Sequence, residues 1–284
     1  MTEGVGAATE YVKRMLSSSE DEMRFYACGG DGTLSEVVTG VMSSEERERA
    51  AVGLIPSGTG NDFARNFTEP QLFFDMAAQL DASELAIDVM RCNDRFAINM
   101  VNAGFDCEVV VKMVEMKKKK WIPLSMTYIA GVAATLVKKP GVAIRTLRGG
   151  AAEEENKQFL LVTCGKGSYY GGGFHSNPRA NLTDGKLDCL TVNNVTRTKF
   201  ITLVGSYKKG THLDEPRFRK ILNHGKADSL DIVFERGANV SVDGEVIFYD
   251  ELHLSLIPAG LRFLIPCGSA YRKEIQREKE TAAV

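Results

Sequence analysis

One stretch decides the fold of this chain: Cys28-Gly29-Gly30-Asp31-Gly32-Thr33-Leu34-Ser35-Glu36. The mostly apolar run Met23–Cys28 predicts a short buried strand, and from Thr33 onwards apolar residues recur at helical spacing. A glycine-rich turn between a strand and a helix N-terminus can bind an anion, because backbone N–H groups and the helix dipole face the ligand there. Asp31 in this turn indicates a divalent cation beside a phosphate, or a carboxylate that positions a hydroxyl. The alternative is a tight turn in which Asp31 only caps the helix.

A second glycine-rich turn follows a second predicted strand. Residues 51–55, Ala-Val-Gly-Leu-Ile, predict the strand, the turn spans Pro56–Asp62, and a helix is predicted to begin at Phe63. Ligands of open α/β sheets bind beyond the carboxyl ends of the strands, so both turns are expected at one ligand site. Their glycine spacing matches neither the Walker A motif nor the dinucleotide fingerprint G-x-G-x-x-G.

The hydrophobic pattern changes after about residue 90. Before that point it predicts helices at Val5–Leu16 and Gln71–Leu80 and a strand at Leu85–Cys92. After it, short strand-like runs and turn signals predict antiparallel sheets. The predicted strands are Phe96–Val101, Val142–Leu147, Phe159–Thr163, Leu187–Val192, Leu230–Phe234, Asn239–Val242, Leu252–Ile257 and Leu261–Ile265. Further helices are predicted at Cys107–Glu115, Leu124–Lys138, Lys199–Tyr207 and Ala270–Lys279.

Composition excludes several classes of protein. The 284 residues carry a formal net charge of −2, so no basic field suggests a nucleic-acid partner. Six cysteines without C-x-x-C spacing argue against a zinc site or a disulfide framework and predict a cytoplasmic protein. The apolar stretch Trp121–Val137 is shorter than the roughly 20 residues that span a membrane. The adjoining basic run Lys117–Lys120 predicts either a solvated helix face or a transient contact with an anionic membrane.

Together, Gly29–Glu36 and Pro56–Asp62 resemble the diacylglycerol kinase catalytic-domain family, which includes bacterial lipid kinases and sphingosine kinases and is distantly related to NAD kinases and phosphofructokinases. The resemblance runs from Thr2 to about Ile265. It implies a doubly wound α/β domain at residues 1–90, with residues 266–284 packing back on it. It also implies an antiparallel β-sandwich domain with helices at residues 91–265, and a cleft between the two domains.

The resemblance also implies an activity, namely transfer of the ATP γ-phosphate to a lipid hydroxyl at a membrane surface. Diacylglycerol is the expected acceptor, phosphatidic acid the expected product and a homodimer the expected assembly. The family's opening strand, which ends in Asn-Pro-x-Ser/Thr-Gly, has no counterpart before Thr2, so the sheet is expected to lack its first strand. Two alternatives remain open: an NAD kinase-like enzyme, and a non-catalytic lipid-binding homologue with impaired ATP binding.

By the same resemblance, the two glycine turns and their flanks bind ATP, with Mg²⁺ offsetting the phosphate charge. Neither turn contains a lysine, so the metal and backbone N–H groups would carry most of this neutralisation. The expected ATP-binding residues are Thr2, Gly29, Gly30, Asp31, Gly32, Thr33, Glu36, Ser57, Gly58, Thr59, Asn61 and Asp62.

A third motif, Asp243-Gly244-Glu245, follows a predicted strand and is a common hairpin turn. In the resembled family, however, an Asp-Gly-Glu of the second domain reaches the cleft, and its Glu accepts a proton. That resemblance implies Glu245 as general base, beside Asp243, with Asp31 as the third catalytic residue. Asp31, Asp62 and the Asp243–Glu245 pair are therefore expected to meet across one crevice. Asn102–Asp106 also matches a family motif, for which only close packing is expected.

A fourth segment, Gly171-Gly172-Gly173, is typical of a flexible loop. In the resembled family, a similar segment precedes a second metal site made of an Asp side chain and backbone carbonyls. The corresponding residues here are Asp184 and the main-chain oxygens of Asn181 and Lys186. Asp88 is expected as a metal-site residue with Asp31 and Asp62, in a cluster of acids around magnesium and the γ-phosphate. Oxygen ligands of this kind suit Mg²⁺ or Ca²⁺.

Overall fold

The computed structural model describes residues 4–109, 111, 141–149 and 153–271 of the chain. Thr2, Lys117–Lys120, Trp121–Val137 and the predicted helix Leu124–Lys138 lie outside the described residues, as does most of Ala270–Lys279. The helices are α1 (Ala7–Ser18), α2 (Asp31–Met42), α3 (Met76–Leu80) and α4 (Arg197–Lys209), and residues 105–109 are also helical. Single 3₁₀ turns occur at Arg47–Arg49, Phe63–Asn66, Pro70–Phe74 and Pro216–Phe218.

Strands make up most of the described fold. They are β1 (Met23–Gly29), β2 (Ala50–Pro56), β3 (Ser83–Cys92), β4 (Arg95–Ala97), β5 (Met100–Gly104), β6 (Val142–Gly149), β7 (Glu154–Gly165), β8 (Tyr169–Tyr170), β9 (Phe174–His175), β10 (Leu187–Asn193), β11 (Leu222–Ala227), β12 (Ser229–Val242) and β13 (Glu245–Ile265). None of the described helices combines the length and the apolar composition needed to cross a bilayer.

The N-terminal lobe is an α/β layer structure. Strands β1 and β2 pair in parallel, and the end of β13 continues the parallel sheet beside β2. Helix α2 buries Leu34, Val37, Val38 and Val41, which recur at helical spacing and pack with the buried face of α1 in one core. This arrangement directs the carboxyl ends of β1 and β2 to the same edge of the sheet.

The C-terminal lobe is β-rich and antiparallel. Strand β12 pairs with β13, β5 and β6, while β7 pairs with β5, β6 and β10. The 21-residue strand β13 begins beside β12 and ends between β3 and β2, so a single strand runs through both lobes. The predicted fold class, an α/β lobe followed by a mainly-β lobe, is confirmed.

Several predicted elements are interrupted by side-chain contacts with the backbone. The helix predicted at Gln71–Leu80 is wrong, since Asp75 accepts hydrogen bonds from the N–H groups of Ala77 and Ala78 and starts α3 anew. The helix predicted from Phe63 is only a 3₁₀ turn, which the Asn66 side chain closes by donating to the Phe63 carbonyl.

Other predicted boundaries differ because of distant partners or exposure. The strand predicted at Phe96–Val101 is split into β4 and β5, because the N–H groups of Ile98 and Asn99, which lie between them, donate to Asp243. Val5 lies before α1 and is 97% exposed, so it does not belong to the buried helix face. The four predicted strands over residues 230–265 form only two strands, β12 and β13, each with a register irregularity.

Candidate active site

The two glycine-rich turns lie against each other at the edge of the parallel sheet. The N–H of Ser57 donates to the carbonyl of Gly29 at 2.9 Å. A Cβ atom on Gly58 would lie 2.4 Å from the Cα of Gly30, so the backbones approach more closely than any side chain allows. Asn61, with a φ of 51°, closes the second turn, because its side-chain amide both accepts from the N–H of Gly58 and donates to its carbonyl.

Asp31 and Asp62 are brought together by this contact between the turns. Asp31 begins α2 and accepts a hydrogen bond from the N–H of Phe63 at 3.2 Å. Asp62 is buried and accepts from the N–H groups of Gly172 and Gly173 at 2.8 and 2.7 Å. Burial raises the pKa of Asp62, as does the neighbouring charge of Asp31, although the two N–H groups act in the opposite direction.

The glycine loop that follows β8 is shaped for this contact with Asp62. Gly171, Gly172 and Gly173 have φ values of 62°, 82° and 97°, which L-residues with side chains rarely adopt. Because the loop bends in this way, two successive N–H groups meet one carboxylate. The loop therefore makes a defined contact with Asp62. The three consecutive glycines did not predict this contact, because they are typical of a flexible loop.

Asp243 comes to the same place from the C-terminal lobe. It lies in the two-residue turn between β12 and β13 with a φ of 46°, and it accepts hydrogen bonds from the N–H groups of Ile98, Asn99 and Met100. Burial raises the pKa of Asp243 to about 6 despite these three hydrogen bonds, and the charge of Asp31 contributes to the increase. Asp31, Asp62 and Asp243 line one cavity and are called the acidic edge below.

Glu245, the residue expected to be the general base, has a different environment. It is the first residue of β13, and its exposed carboxylate accepts a hydrogen bond from Arg95 Nη1 at 2.8 Å. It is not among the described residues that line the cavity. The structure therefore brings Asp31, Asp62 and Asp243 together and leaves Glu245 beside them, paired with Arg95.

Behind the acidic edge, a mostly apolar cavity of about 300 Å³ extends into the C-terminal lobe. It lies between helical residues 105–109, strands β7 and β10, and helix α4. Its apolar and aromatic lining consists of Met100, Phe105, Val109, Leu160, Leu161, Tyr170, Phe174, Val192, Phe200, Leu203, Val204 and Tyr207. Periodicity cannot distinguish these residues from ordinary core residues, so sequence reasoning did not identify them.

Polar residues also line this cavity, and Asp106 is an acidic one away from the acidic edge. Burial raises the pKa of Asp106 to about 6. Hydrogen bonds from Tyr170, from the N–H of Cys107 and from Asn102 act in the opposite direction and lower it. Asn102 and Asp106 both line the cavity, whereas the sequence predicted only close packing for their segment. The family motif to which they belong was the signal that could have located them.

The remaining residues expected to bind ATP have varied positions. Gly32, Ser57 and Thr59 are exposed near the two turns, where a ligand can reach them. The N–H of Thr33 donates to the Gly30 carbonyl within the first turn of α2. Glu36 has another role in this structure, since its carboxylate accepts from the N–H groups of Gly6 and Ala8 and caps α1.

The residues expected to hold a second metal surround a lysine instead. Lys166 is fully buried, and its Nζ lies 2.8 Å from Asp88 Oδ2, 2.6 Å from Asp184 Oδ1 and 2.7 Å from the carbonyl oxygen of Lys186. The side-chain oxygen of Asn181 accepts the N–H of Thr183. A divalent cation does not fit between oxygens that an ammonium group already contacts at these distances. Across the described ranges, no cluster of three or more His, Cys, Asp or Glu side chains has a metal-binding arrangement.

Asp88 thus belongs to this lysine-centred group and not to the acidic edge. It is buried in β3 and also accepts hydrogen bonds from the N–H groups of Gly185 and Ala259. Asp184 has a second cationic partner, Lys226. The group formed by Asp88, Asp184, Lys166 and Lys226 is called the lysine clasp below.

Two family models match the chain. The diacylglycerol kinase catalytic domain matches residues 1–92, and the YegS C-terminal NAD kinase beta sandwich-like domain matches residues 99–265. The chain belongs to the diacylglycerol kinase catalytic-domain family. The first match includes both glycine turns, and the second includes the cavity lining and the Asp243 turn.

Similar proteins of this family occur in several bacteria. The "Probable lipid kinase YegS-like" of Enterobacter sp. (strain 638) is 27% identical over 266 residues, which is 92% of this chain and 83% of that protein. The protein of the same name from Stenotrophomonas maltophilia (strain K279a) is 28% identical over 272 residues, which is 93% of this chain and 84% of that protein.

Solved structures show the same fold. The crystal structure of a diacylglycerol kinase from Bacillus anthracis str. Sterne has a TM-score of 0.64 at 20% identity, covering 94% of this chain and 84% of that one. Another crystal structure from this organism has a TM-score of 0.70 at 22% identity, covering 94% of this chain and 85% of that one.

Proposed function

We propose that this protein is an ATP-dependent lipid kinase that transfers the γ-phosphate of ATP to a lipid hydroxyl, with diacylglycerol as the acceptor. The observation that carries the proposal is the position of the acidic edge at one end of a mostly apolar cavity. Carboxylates at that edge suit a magnesium–phosphate complex, and the apolar lining suits an acyl chain. Family membership and the names of the bacterial relatives support the same activity.

The acidic edge fits Mg²⁺ that is brought by ATP. Magnesium is usually held by one or two carboxylates together with substrate phosphates, and Asp31 and Asp62 are available for this role. When bound, the ion neutralises phosphate charge that neither glycine turn can offset with a lysine. The N–H of Gly32 and the exposed hydroxyls of Ser57 and Thr59 would then bind and orient phosphate oxygens.

The proton of the attacking hydroxyl needs an acceptor, and two carboxylates compete for this role. Family resemblance favours Glu245, and we retain it as the proposed base. Asp243 is the alternative, because it lines the cavity and a pKa of about 6 is well suited to accepting a proton near neutral pH. Glu245 keeps the role in this proposal because catalytic contacts often tighten only when substrate is bound.

The test is phosphate transfer from radiolabelled ATP, with diacylglycerol, monoacylglycerol, sphingosine and NAD presented separately in mixed micelles or buffer. We expect phosphatidic acid from diacylglycerol and no labelled NADP. Phosphorylation of NAD in preference to every lipid would establish the NAD kinase alternative. Binding of diacylglycerol by the folded protein without ATP consumption would establish the non-catalytic alternative.

A lipid acceptor also requires that the enzyme meet a membrane surface. We therefore propose transient association with anionic bilayers through Lys117–Lys120. Flotation with vesicles of phosphatidylglycerol and phosphatidylcholine should show binding that falls when these four lysines are replaced by Gln. Unchanged flotation of the variant would eliminate this contact. The expected homodimer stays a prediction, which light scattering of the purified protein tests.

A further inference from the structure

Lys166 is an unusual residue for its position. It follows β7 directly, it has 0% exposure, and its ammonium contacts three oxygens from two separate segments of the chain. These oxygens are the Asp88 carboxylate in β3, the Asp184 carboxylate and the Lys186 carbonyl. Buried lysines are rare unless they are paired, so this one is held by a specific set of partners.

We propose that Lys166 is a built-in cation that takes the place of the second metal ion, so that the Asp184 turn of this chain binds no divalent cation. Asp184 and the Lys186 carbonyl are two of the oxygen ligands expected for that metal. A Mg²⁺ or Ca²⁺ ion bound to them would lie about 2.0–2.6 Å from each oxygen. Because Lys166 Nζ lies within 2.7 Å of both, ion and ammonium would occupy the same space.

The charges of the lysine clasp lead to the same conclusion. Asp88 and Asp184 supply two negative charges, and Lys166 and Lys226 supply two positive ones. Nζ of Lys166 lies 2.6 Å from Asp184 Oδ1, and Nζ of Lys226 contacts the other oxygen of the same carboxylate. The two carboxylates are therefore already neutralised, and a divalent ion would add two uncompensated charges.

The clasp also holds the segment that leads to the acidic edge. The N–H groups of Lys166 and Gly167 both donate to the carbonyl of Asn99, and the Asn99 side chain donates to the carbonyl of Tyr169. The chain then continues into the glycine loop that contacts Asp62. At the other end, the N–H of Asp88 donates to the carbonyl of Leu182. The internal cation thus joins β3, the Asp184 turn and the end of β7 without a metal.

Thermal unfolding in the absence of nucleotide tests the proposal. The wild-type Tm should change by less than about 1 °C between excess EDTA and millimolar Ca²⁺ or Mg²⁺. Lys166→Ala leaves the buried Asp88 carboxylate without its ammonium partner and Asp184 with Lys226 alone, and it makes room for an ion, so its Tm should fall by roughly 10 °C in EDTA. Added Ca²⁺ should restore most of this loss.

Two controls make the result specific. Lys157→Ala removes a lysine of β7 that pairs with Glu154, outside the clasp, and should show no response to Ca²⁺. In the double variant Lys166→Ala, Asp184→Asn, the rescue by Ca²⁺ should disappear. A Lys166→Ala protein that folds but gains no stability from either ion would overturn the proposal.

Wild-type protein provides a test that does not depend on the folding of Lys166→Ala. Calcium titrations by calorimetry should give the same number of bound ions for the wild type and for Asp184→Asn. An additional ion that persists in Asp31→Asn but is lost in Asp184→Asn would place a metal at the turn and overturn the proposal. None of these measurements uses phosphate transfer, so they are independent of the proposed kinase activity.

Discussion

The acidic edge and the lysine clasp are both groups of carboxylates gathered from distant segments, yet they differ in what neutralises them. At the acidic edge, backbone N–H groups donate to Asp62 and Asp243, and the nearest described guanidinium contact is Arg65 Nε, 3.5 Å from Asp62. In the clasp, lysine ammonium groups contact Asp184 directly. Burial accordingly raises the pKa of Asp62 and Asp243, whereas the lysines lower that of Asp184.

This difference distinguishes the acidic edge, a candidate ligand-binding site, from the lysine clasp, which has a structural role. Carboxylates that are buried without a full counter-charge are costly to the fold, and in the proposed reaction a magnesium–phosphate complex would offset that cost. Carboxylates that already hold their cation gain nothing from a further ion. The chemical type of the residue is the same in both groups, so the neighbouring cation determines which group can bind a ligand.

The largest effect is expected for Asp31→Asn, which removes charge from the centre of the acidic edge. Turnover should fall on the order of 10³-fold, because charge stabilisation at a transferring phosphoryl group contributes on that scale. Stability should not fall, since the charge of Asp31 raises the pKa values of both Asp62 and Asp243. Steady-state kinetics and thermal unfolding measure the two quantities. Asp21→Asn, at an exposed residue, is the matched control, and wild-type turnover in Asp31→Asn would contradict the role of the edge.

The next effect distinguishes the two candidate bases. Glu245→Gln should reduce turnover on the order of 10²-fold, as expected for loss of a general base, with a stability change below about 1 kcal/mol. Arg95→Gln breaks the same exposed ion pair but keeps the carboxylate, and should leave turnover nearly unchanged.

Asp243→Asn provides the comparison. The Asn side chain would place an NH₂ group opposite a backbone N–H donor, where the carboxylate now accepts. The lost hydrogen bond costs about 1–3 kcal/mol of stability. Should Asp243→Asn lose turnover while Glu245→Gln retains it, the base is Asp243 and the family assignment does not apply to this chain.

A smaller effect is expected at the contact between the two glycine turns. Gly58→Ala places a Cβ 2.4 Å from the Cα of Gly30 and should destabilise the protein by about 2 kcal/mol while raising the KM for ATP. Gly205→Ala in α4 is the control, because its Cβ would meet nothing within 4 Å and helix propensity should stabilise it by about 0.5–1 kcal/mol. Urea unfolding measures the stability of the two variants, and ATP titration measures their KM. Equal stability of the two variants would mean that the turns separate freely.

The smallest effect is a difference in pH dependence between the two groups. The native pKa of Asp243 is about 6, above its ordinary 3.8, so the native state binds more protons between these values. Its contribution to stability is therefore present below pH 3.8 and is lost as pH rises through 6. The pKa of Asp184 is lowered, so its contribution is present above pH 3.8 and is lost as pH falls through its native pKa.

Urea unfolding between pH 3 and 7 can measure these opposite slopes. Subtracting the Asp243→Asn curve from that of the wild type should isolate a stability loss on the alkaline side. Subtracting the Asp184→Asn curve should isolate a loss on the acid side. Slopes of the same sign would show that the two groups are not neutralised differently.

Local patterns were sufficient for the elements that frame the site. Strands β1 and β2 and helix α2 follow from apolar periodicity and glycine turns, which depend on neighbouring residues alone. The break between β4 and β5 could not be predicted in this way, because its cause is a hydrogen bond from Asn99 to Asp243, 144 residues away. The same limit applies to the cavity lining, whose apolar residues have the spacing of ordinary core residues.

The sequence by itself determined the two-lobe fold, the family, and the acids from which an active site could be built. Only the tertiary structure decided which acids meet: it groups Asp31 and Asp62 with Asp243, and it pairs Glu245 with Arg95. It also directs Lys166, which no motif marks, to the oxygens of Asp88 and Asp184. The physical reason is that charge neutralisation depends on distances of a few ångströms in space, which separation along the chain does not determine.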